Sequence, residues 1–382
     1  MSSSRRDFLK ILGGGALALP ALNLSSLPML GQDAADRPLR YCIVGLGRIS
    51  LNEFMPGVRL SHKSRLTALV SASRAKAEKV AAQYQIDPKN IYSYENFHRI
   101  ADNPEIDAVY LALPNGMHAE YTVRAAEAGK HVLCEKPMAN TPAECEQMIA
   151  ACRKAGKKLM IGYRCRLEPT NLRAISLIRS GALGKVQIIE SSDGFNISPT
   201  YTVMGVTRPE WRLDKAMAGG GPMMDVGIYS LQATRYLSGE EPAVISATWS
   251  RSKDDPRFRG VEENLVWHTQ FPSGVLATCN TSYGSNIGDS ARVNGSKGWL
   301  SLDPGFYYDG LRLRGHSQTQ GNLDYVADNP NPRQFTTEAD YFTDCVHKNQ
   351  EPTINGEEGL RDMKLIAAIY KSCREGGAPQ QV

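Results

Sequence analysis

The stretch Arg40-Tyr41-Cys42-Ile43-Val44-Gly45-Leu46-Gly47-Arg48-Ile49-Ser50 decides the fold. Residues 41–45 form an apolar run without polar alternation, the pattern of a strand buried on both faces. The run ends in a GxGxxS pattern. Gly45 permits a tight turn, Gly47 lets backbone N–H groups approach a pyrophosphate, and Ser50 is small enough for the next helix to pack on the strand. Leu46, Arg48 and Ile49 complete this candidate cofactor-binding turn. Glycine turns after strands are common, so the pattern gains weight only from the segments downstream of it.

Those segments alternate. Further apolar runs occupy residues 66–71, 108–113, 131–135 and 159–163, with helix-period stretches near 75–84, 116–129 and 142–155. The last stretch opens with Thr141, Pro142 and Glu144, a capping box with proline at the first helical position. Continuous apolar strands separated by helices predict a doubly wound parallel sheet. After Arg164 the texture changes. A helix near 171–179, a strand near 186–192 and a helix near 223–237 precede strands near 243–250, 265–271, 275–283, 291–294 and 299–302. Pro272-Ser273-Gly274 and Gly295-Ser296-Lys297-Gly298 read as hairpin turns, and helices near 337–348 and 357–375 close the chain. The expectation is an α/β chain whose second part is an α+β domain with a large open, mostly antiparallel sheet. The domains are then a leader at 1–30, a nucleotide-binding domain at 31–164 and a substrate domain at 165–382.

Composition narrows the function. With 382 residues, 42% apolar and 22% charged, the chain is that of an ordinary globular protein. The net charge of +4 comes half from the leader, where Arg5, Arg6 and Lys10 oppose Asp7. What remains gives no electrostatic footprint for nucleic acid or an anionic membrane, so a small-molecule partner is expected. The seven histidines lack ligand spacing, and the eight cysteines (42, 134, 145, 152, 165, 279, 345, 373) form no CxxC pair, so no metal site is expected. In the leader, Ser4-Arg5-Arg6-Asp7-Phe8-Leu9-Lys10 precedes a weakly apolar stretch containing Gly13, Pro20, Asn23 and Pro28. That reads as a twin-arginine export signal rather than a spanning helix, which predicts a periplasmic protein with no membrane span once mature.

The choice of cofactor rests on an absence. A site for NAD wants a carboxylate at the end of the second strand, yet no Asp or Glu lies between Glu53 and Glu78. The strand runs instead into Ser71-Ala72-Ser73-Arg74-Ala75-Lys76. A hydroxyl, Ser71, with two cations, Arg74 and Lys76, at a helix start suits a phosphate, so NADP is expected. Other strands end in Leu113-Pro114-Asn115-Gly116-Met117-His118 and Cys134-Glu135-Lys136-Pro137, where open α/β sheets hold their ligands. His118 reads either as a site residue or as a structural histidine in a turn. Asp225 and Tyr229 are four apart at a helix start, so both are expected on one face.

These motifs together resemble the glucose–fructose oxidoreductase/inositol dehydrogenase (Gfo/Idh/MocA) family, nearest its periplasmic glucose–fructose branch. The resemblance runs from about Arg40 to the C-terminus and rests on GLGRISLNEFMPG, LVSASRAKAEKVA, EKPMA, KKLMIGYRC, AGGGPMMDVGIY and TRYLSGEEP. It implies a Rossmann domain, a second domain whose sheet forms a homo-oligomer interface, and a sugar held between the two. Lys136 matches the family's catalytic lysine and Tyr229 its proton-transferring position. Ser71 and Lys76 match contacts to the 2′-phosphate. Tyr94, the run Ala112, Leu113, Pro114, Asn115, Gly116 and Met117, and Arg164, Trp211, Arg212 and Tyr308 match further cofactor or pocket contacts. His118 and Glu135 fall within the same cofactor-binding motifs. Tyr229 would serve as general base with its pKa lowered by Lys136, and Asp225 would orient the pair.

The expected activity is oxidation of an aldose at C1 to its lactone, with the hydride passed through a tightly held NADP to a second sugar such as fructose. The alternatives are a sugar or dihydrodiol dehydrogenase with exchangeable NADP, and a non-catalytic sugar- or nucleotide-binding protein.

Overall fold

The structure, a computed structural model, describes residues 37–382, and the expected leader at 1–30 lies outside the described residues. The chain enters its first sheet with β1 (Leu39–Val44), buried along most of its length. At Gly45, with φ 92°, it turns into a π-helical turn and the short helix α1 (Met55–Arg59). The Ser50 hydroxyl closes that turn by donating to the Gly45 carbonyl at 2.6 Å. Then come β2 (Ser64–Val70), α2 (Arg74–Tyr84), β3 (Ile91–Tyr92), β4 (Ala108–Leu111), α3 (His118–Glu127), β5 (His131–Glu135), α4 (Pro142–Lys154) and β6 (Leu159–Gly162). All pairings are parallel, in the order β3-β2-β1-β4-β5-β6. The order reverses beside β1, which opens a crevice at the C-terminal strand ends. The capping box of α4 is present, with Glu144 accepting from Thr141 N–H and Thr141 from Glu144 N–H.

The second part opens with α5 (Pro169–Arg179) and β7 (Val186–Gly194). A small ribbon comes next, β8 (Thr200–Val203) and β9 (Val206–Pro209), where the sequence shows no strand pattern. It leads into α6 (Lys215–Ala218), a π-helical turn over Met223–Gly227, and α7 (Ile228–Ser238). Beyond α7 lie β10 (Val244–Ser250), β11 (Asn264–Gln270), β12 (Leu276–Ser282), β13 (Gly288–Gly295), β14 (Gly298–Leu302), β15 (Leu313–Ser317) and β16 (Gly321–Tyr325). The chain finishes with α8 (Arg333–His347), α9 (Gly356–Arg374) and β17 (Gln380–Gln381). Among the described residues these strands form a sheet in the order β16-β15-β14-β13-β7-β12-β11-β10-β17, antiparallel except where β7 meets β12.

Alternation explains the sheet's two faces. Along β11, Leu265, Trp267 and Thr269 are buried while Val266, His268 and Gln270 are exposed. α7 packs against β7, and α9 against β10. The other face leaves Ile188, Val266 and Leu276 in solvent. α8 and α9 also return to the first sheet, because Phe335, Phe342, Met363 and Ile366 complete the core under β1–β6. The Ile161 N–H donates to the Ile354 carbonyl at 2.9 Å, which ties the α8–α9 loop to β6. Among the described residues no helix is long and apolar enough to cross a membrane.

Candidate active site

The glycine turn after β1 is shaped first by the protein itself. A Cβ on Gly45 would stand 2.5 Å from the Ala112 carbonyl oxygen, because the exit of β4 presses against the turn. A Cβ on Gly47 would meet nothing within 4 Å. The second glycine therefore faces open space beside the start of a helix, which fits a dinucleotide pyrophosphate. At the end of β2, the buried Ser71 hydroxyl accepts from Ser73 N–H at 3.1 Å. Lys76 Nζ reaches back to the Leu46 carbonyl at 2.8 Å. Burial and the nearby Arg208 guanidinium push the Lys76 ammonium below its ordinary pKa.

Arg74 departs from expectation. It donates to Glu78 at 2.8 Å and to the Ile91 and Pro88 carbonyls at 3.2 and 3.3 Å, bracing α2 against β3 instead of waiting for a phosphate. His118 is a second correction. It is fully buried, its ring nitrogens lie 2.9 Å from the Pro137 and Leu113 carbonyls, and burial lowers its pKa. The ring joins the two loops from within, the structural reading of this turn histidine. Glu135 is a third. Its carboxylate accepts from the Tyr110 hydroxyl at 2.5 Å and from Lys136 N–H at 3.3 Å, and burial raises its pKa, so it is engaged inside the protein.

The segment 112–117 divides. Ala112, Pro114 and Met117 stay half-buried at the crevice, and Leu113 is buried. Asn115 donates to the Ala218 carbonyl at 2.9 Å, and a Cβ on Gly116 would stand 2.7 Å from the Ala216 carbonyl. These two positions are where α6 rests on the first domain. Tyr94 sits edge-on to Tyr121 at 5.4 Å, with its phenol pushed up to about 12 by burial.

Lys136, at the end of β5, meets the second domain. Its Nζ donates to the Asp225 backbone carbonyl at 2.6 Å and lies 3.3 Å from Asp225 Oδ1. It also lies 4.6 Å from the ring centroid of Tyr229. Asp225 accepts from the Tyr283 hydroxyl at 2.8 Å and has Arg212 Nε at 3.1 Å. Burial alone would raise this carboxyl, but Arg212, Lys136 and Tyr283 outweigh it and hold Asp225 at about 2. Arg212 also pairs with Glu210 at 3.0 Å and covers the Trp211 ring at 4.6 Å, so those two expected residues join the same network.

Tyr229 stacks on Phe306 at 5.9 Å, with the Arg164 guanidinium 5.4 Å from its ring. Arg164 is buried, donates to Gln334, Tyr307 and Phe306, and lies 4.5 Å from the Tyr308 ring. The expected lowering of the Tyr229 pKa by Lys136 is corrected: burial raises the phenol above its ordinary range, and Arg164 is the main opposing charge. The π-helical turn sends Asp225 toward Arg212 and Tyr283, and Tyr229 toward Arg164 and Phe306, with Lys136 touching both.

Asp193 and Tyr283 escaped the sequence reading. Asp193 is buried on β7 and faces Asp289 across β13, and burial and that second carboxylate raise its pKa. Nothing local marks either residue, because the site forms only when β7, β12 and α7 come together. Among the described residues no group of His, Cys, Asp or Glu could hold a metal ion.

Known proteins resemble this chain along most of its length. Residues 39–163 match the oxidoreductase family with an NAD-binding Rossmann fold, and residues 171–301 match the GFO/IDH/MocA C-terminal domain. The aldose–aldose oxidoreductase of Caulobacter crescentus, solved with glycerol, is 44% identical with a TM-score of 0.85, over 91% of this chain and 100% of that one. A D-xylose 1-dehydrogenase [NADP(+)] of Haloarcula marismortui is 32% identical over 89% of this chain and 92% of its own. A trans-1,2-dihydrobenzene-1,2-diol dehydrogenase of Bos taurus is 30% identical over 70% and 75%.

Proposed function

The chain belongs to the GFO/IDH/MocA family of oxidoreductases, and from that premise we propose that it oxidises an aldose at C1 and hands the hydride to a second sugar without releasing its NADP. It is an oxidoreductase acting on CH–OH groups of sugars, and NADP is its cofactor. The residues that would hold NADP are the turn around Gly47, Ser71 and Lys76. Bound there, the nucleotide supplies the ring that takes or gives the hydride.

The observation that carries the reading is the pair Lys136 and Tyr229 at the crevice mouth, joined at 4.6 Å and flanked by Arg164. Tyr229 keeps its proton in this buried setting, which suits it to donate when a carbonyl is reduced. In the oxidising direction the same oxygen takes the proton back, with Arg164 as the cation that stabilises the phenolate. Asp225 fixes the Lys136 ammonium through two of its oxygens.

The relative from Caulobacter crescentus is an aldose–aldose oxidoreductase, which favours an aldose over fructose as hydride acceptor. The xylose dehydrogenase favours the second reading, in which NADP exchanges with solution. The twin arginines of the leader support an exported, periplasmic protein. The exposed pair Ile188 and Leu276, with Val266 on the same face, supports a homo-oligomer assembled through the outer face of the sheet.

The test is to purify and dialyse the protein, then supply two aldoses without nucleotide. Turnover together with nucleotide absorbance that survives dialysis supports hydride transfer on a retained cofactor. Turnover only after adding NADP supports the exchangeable reading. No turnover under either condition overturns both.

A further inference from the structure

The β8–β9 ribbon belongs to the second part of the chain but touches the glycine turn of the first. Arg48 Nε, in that turn, donates to the Thr202 carbonyl at 3.3 Å. Its guanidinium lies 5.7 Å from the ring centroid of Tyr201. Tyr201 pairs with Arg208 across the ribbon, so seating Tyr201 against the turn brings Arg208 there too. The ribbon stands outside both large sheets, and Met204 and Val206 at its tip are about half exposed. A two-stranded ribbon of this size is marginally stable by itself, so its position depends on what it rests against.

The charges gathered by this contact are one-sided. Arg48, Lys76 and Arg208 converge near the turn, and Arg208 is close enough to disfavour the Lys76 ammonium. Arg74 alongside has its own carboxylate in Glu78. Among the described residues no ion pair joins Arg48, Lys76 or Arg208 to a carboxylate. Like charges brought together without a counterion repel, whereas a phosphomonoester carrying close to two negative charges would reverse the sign of every such pair. The buried Ser71 hydroxyl and the N-terminus of α2 lie on the same side.

We propose that the β8–β9 ribbon is a clasp over the adenosine end of the dinucleotide, and that Arg208 binds the ribose 2′-phosphate together with Lys76 and Ser71. Resting on the reading of NADP as cofactor, the proposal adds a phosphate contact from the second domain. It also gives a physical reason for slow nucleotide release, because the nucleotide leaves only after the ribbon lifts from Arg48.

The test compares NADPH and NADH, titrated by their own fluorescence into full-length protein stripped of nucleotide. Arg208→Ala is expected to weaken NADPH roughly ten- to hundredfold, the loss of one charge-assisted contact, and to leave NADH unchanged. Arg208→Lys should recover part of the loss. Tyr201→Ala, which removes the seat and keeps Arg208, should speed the release of both nucleotides in a stopped-flow displacement. Thermal melting of each variant without nucleotide checks that the fold is intact. If the wild type prefers NADPH and Arg208→Ala keeps that preference in full, the clasp is wrong and the cofactor reading stands. If the wild type binds NADH as tightly as NADPH, the cofactor reading itself fails and the clasp with it.

Discussion

The Lys136 ammonium lies over the face of the Tyr229 ring, 4.6 Å from its centroid, while its hydrogen bonds go to Asp225. A cation in that place holds the ring by a cation–π contact without itself holding the reacting proton. The division of labour is testable. Tyr229→Phe keeps the stack on Phe306 and the contact with Lys136 and loses only the hydroxyl. Its kcat is expected to fall roughly 10²–10⁴-fold, the span of general acid–base catalysis, with NADPH affinity and melting temperature unchanged. Equal kcat in wild type and variant would remove Tyr229 from the proton path.

Asp225 carries a stability prediction with a definite sign. Its carboxyl is held at about 2 against an ordinary 3.8, so its ion pairs stabilise the fold fully above about pH 4 and are lost as pH falls through 2. Asp225→Asn keeps the shape but leaves Arg212 and Lys136, whose side chains are 32% and 10% exposed, without that counter-charge. It should lower stability by about 2 kcal/mol at neutral pH, with the difference from wild type closing in acid. Melting curves of both proteins against pH measure this. A constant difference across the acid range would mean that the charge is not what Asp225 contributes.

Glu338 gives the opposite slope. It is fully buried on α8, neither carboxylate oxygen has a hydrogen-bond partner, and burial and Glu135 raise its pKa well above the ordinary 4.5. The folded protein therefore keeps this proton while the unfolded chain releases it, so stability declines as pH rises above 4.5. Glu338→Gln should match the wild type at about pH 4 and melt higher at about pH 8. Parallel pH profiles for the two proteins would contradict the assignment.

Much of the fold was legible because burial leaves a periodic trace. β1, β4 and β5 read as apolar runs since both faces are covered, and β11 reads as alternation since one face is wet. β8–β9 left no trace because almost every residue in it is exposed, so neither face selects apolar side chains. The helical period of α8 and α9 showed that they bury a face, but which core receives it depends on contacts hundreds of residues apart. The site divides the same way. Lys136, Asp225 and Tyr229 lie in recognisable local motifs, whereas Asp193 on β7 and Tyr283 just past β12 join the site only through sheet pairing and the placement of α7. His118 stayed open in the sequence because a turn histidine at a strand end looks the same whether it faces a ligand or bridges two loops.

The outer face of the second sheet yields a prediction about assembly. Leu276 is 52% exposed and pairs in register with Ile188, itself 46% exposed. Leu276→Arg places a charge beside Ile188 on that exposed face, and burying it between two copies would be costly. Light scattering is expected to give a smaller particle for the variant than for the wild type at the same concentration. Identical masses above the monomer would move the interface elsewhere, and a monomeric wild type would remove it.

The two glycines of the turn separate folding from cofactor binding. Gly45 has φ 92°, and its Cβ would collide with the Ala112 carbonyl, so Gly45→Ala strains the backbone and the exit of β4 together. It should lower the melting temperature of the nucleotide-free protein. Gly47 meets nothing within 4 Å of an added Cβ and is absent from the positive-φ positions, so Gly47→Ala should fold and melt like the wild type. If the pyrophosphate lies over that open space, the new methyl occupies the path of the phosphate oxygens, and NADPH and NADH should both weaken by the same factor. The common factor matters, because it distinguishes loss of the pyrophosphate seat from loss of a 2′-phosphate contact, which touches NADPH alone. A Gly47→Ala protein that binds both nucleotides normally would show that the dinucleotide does not cross this turn.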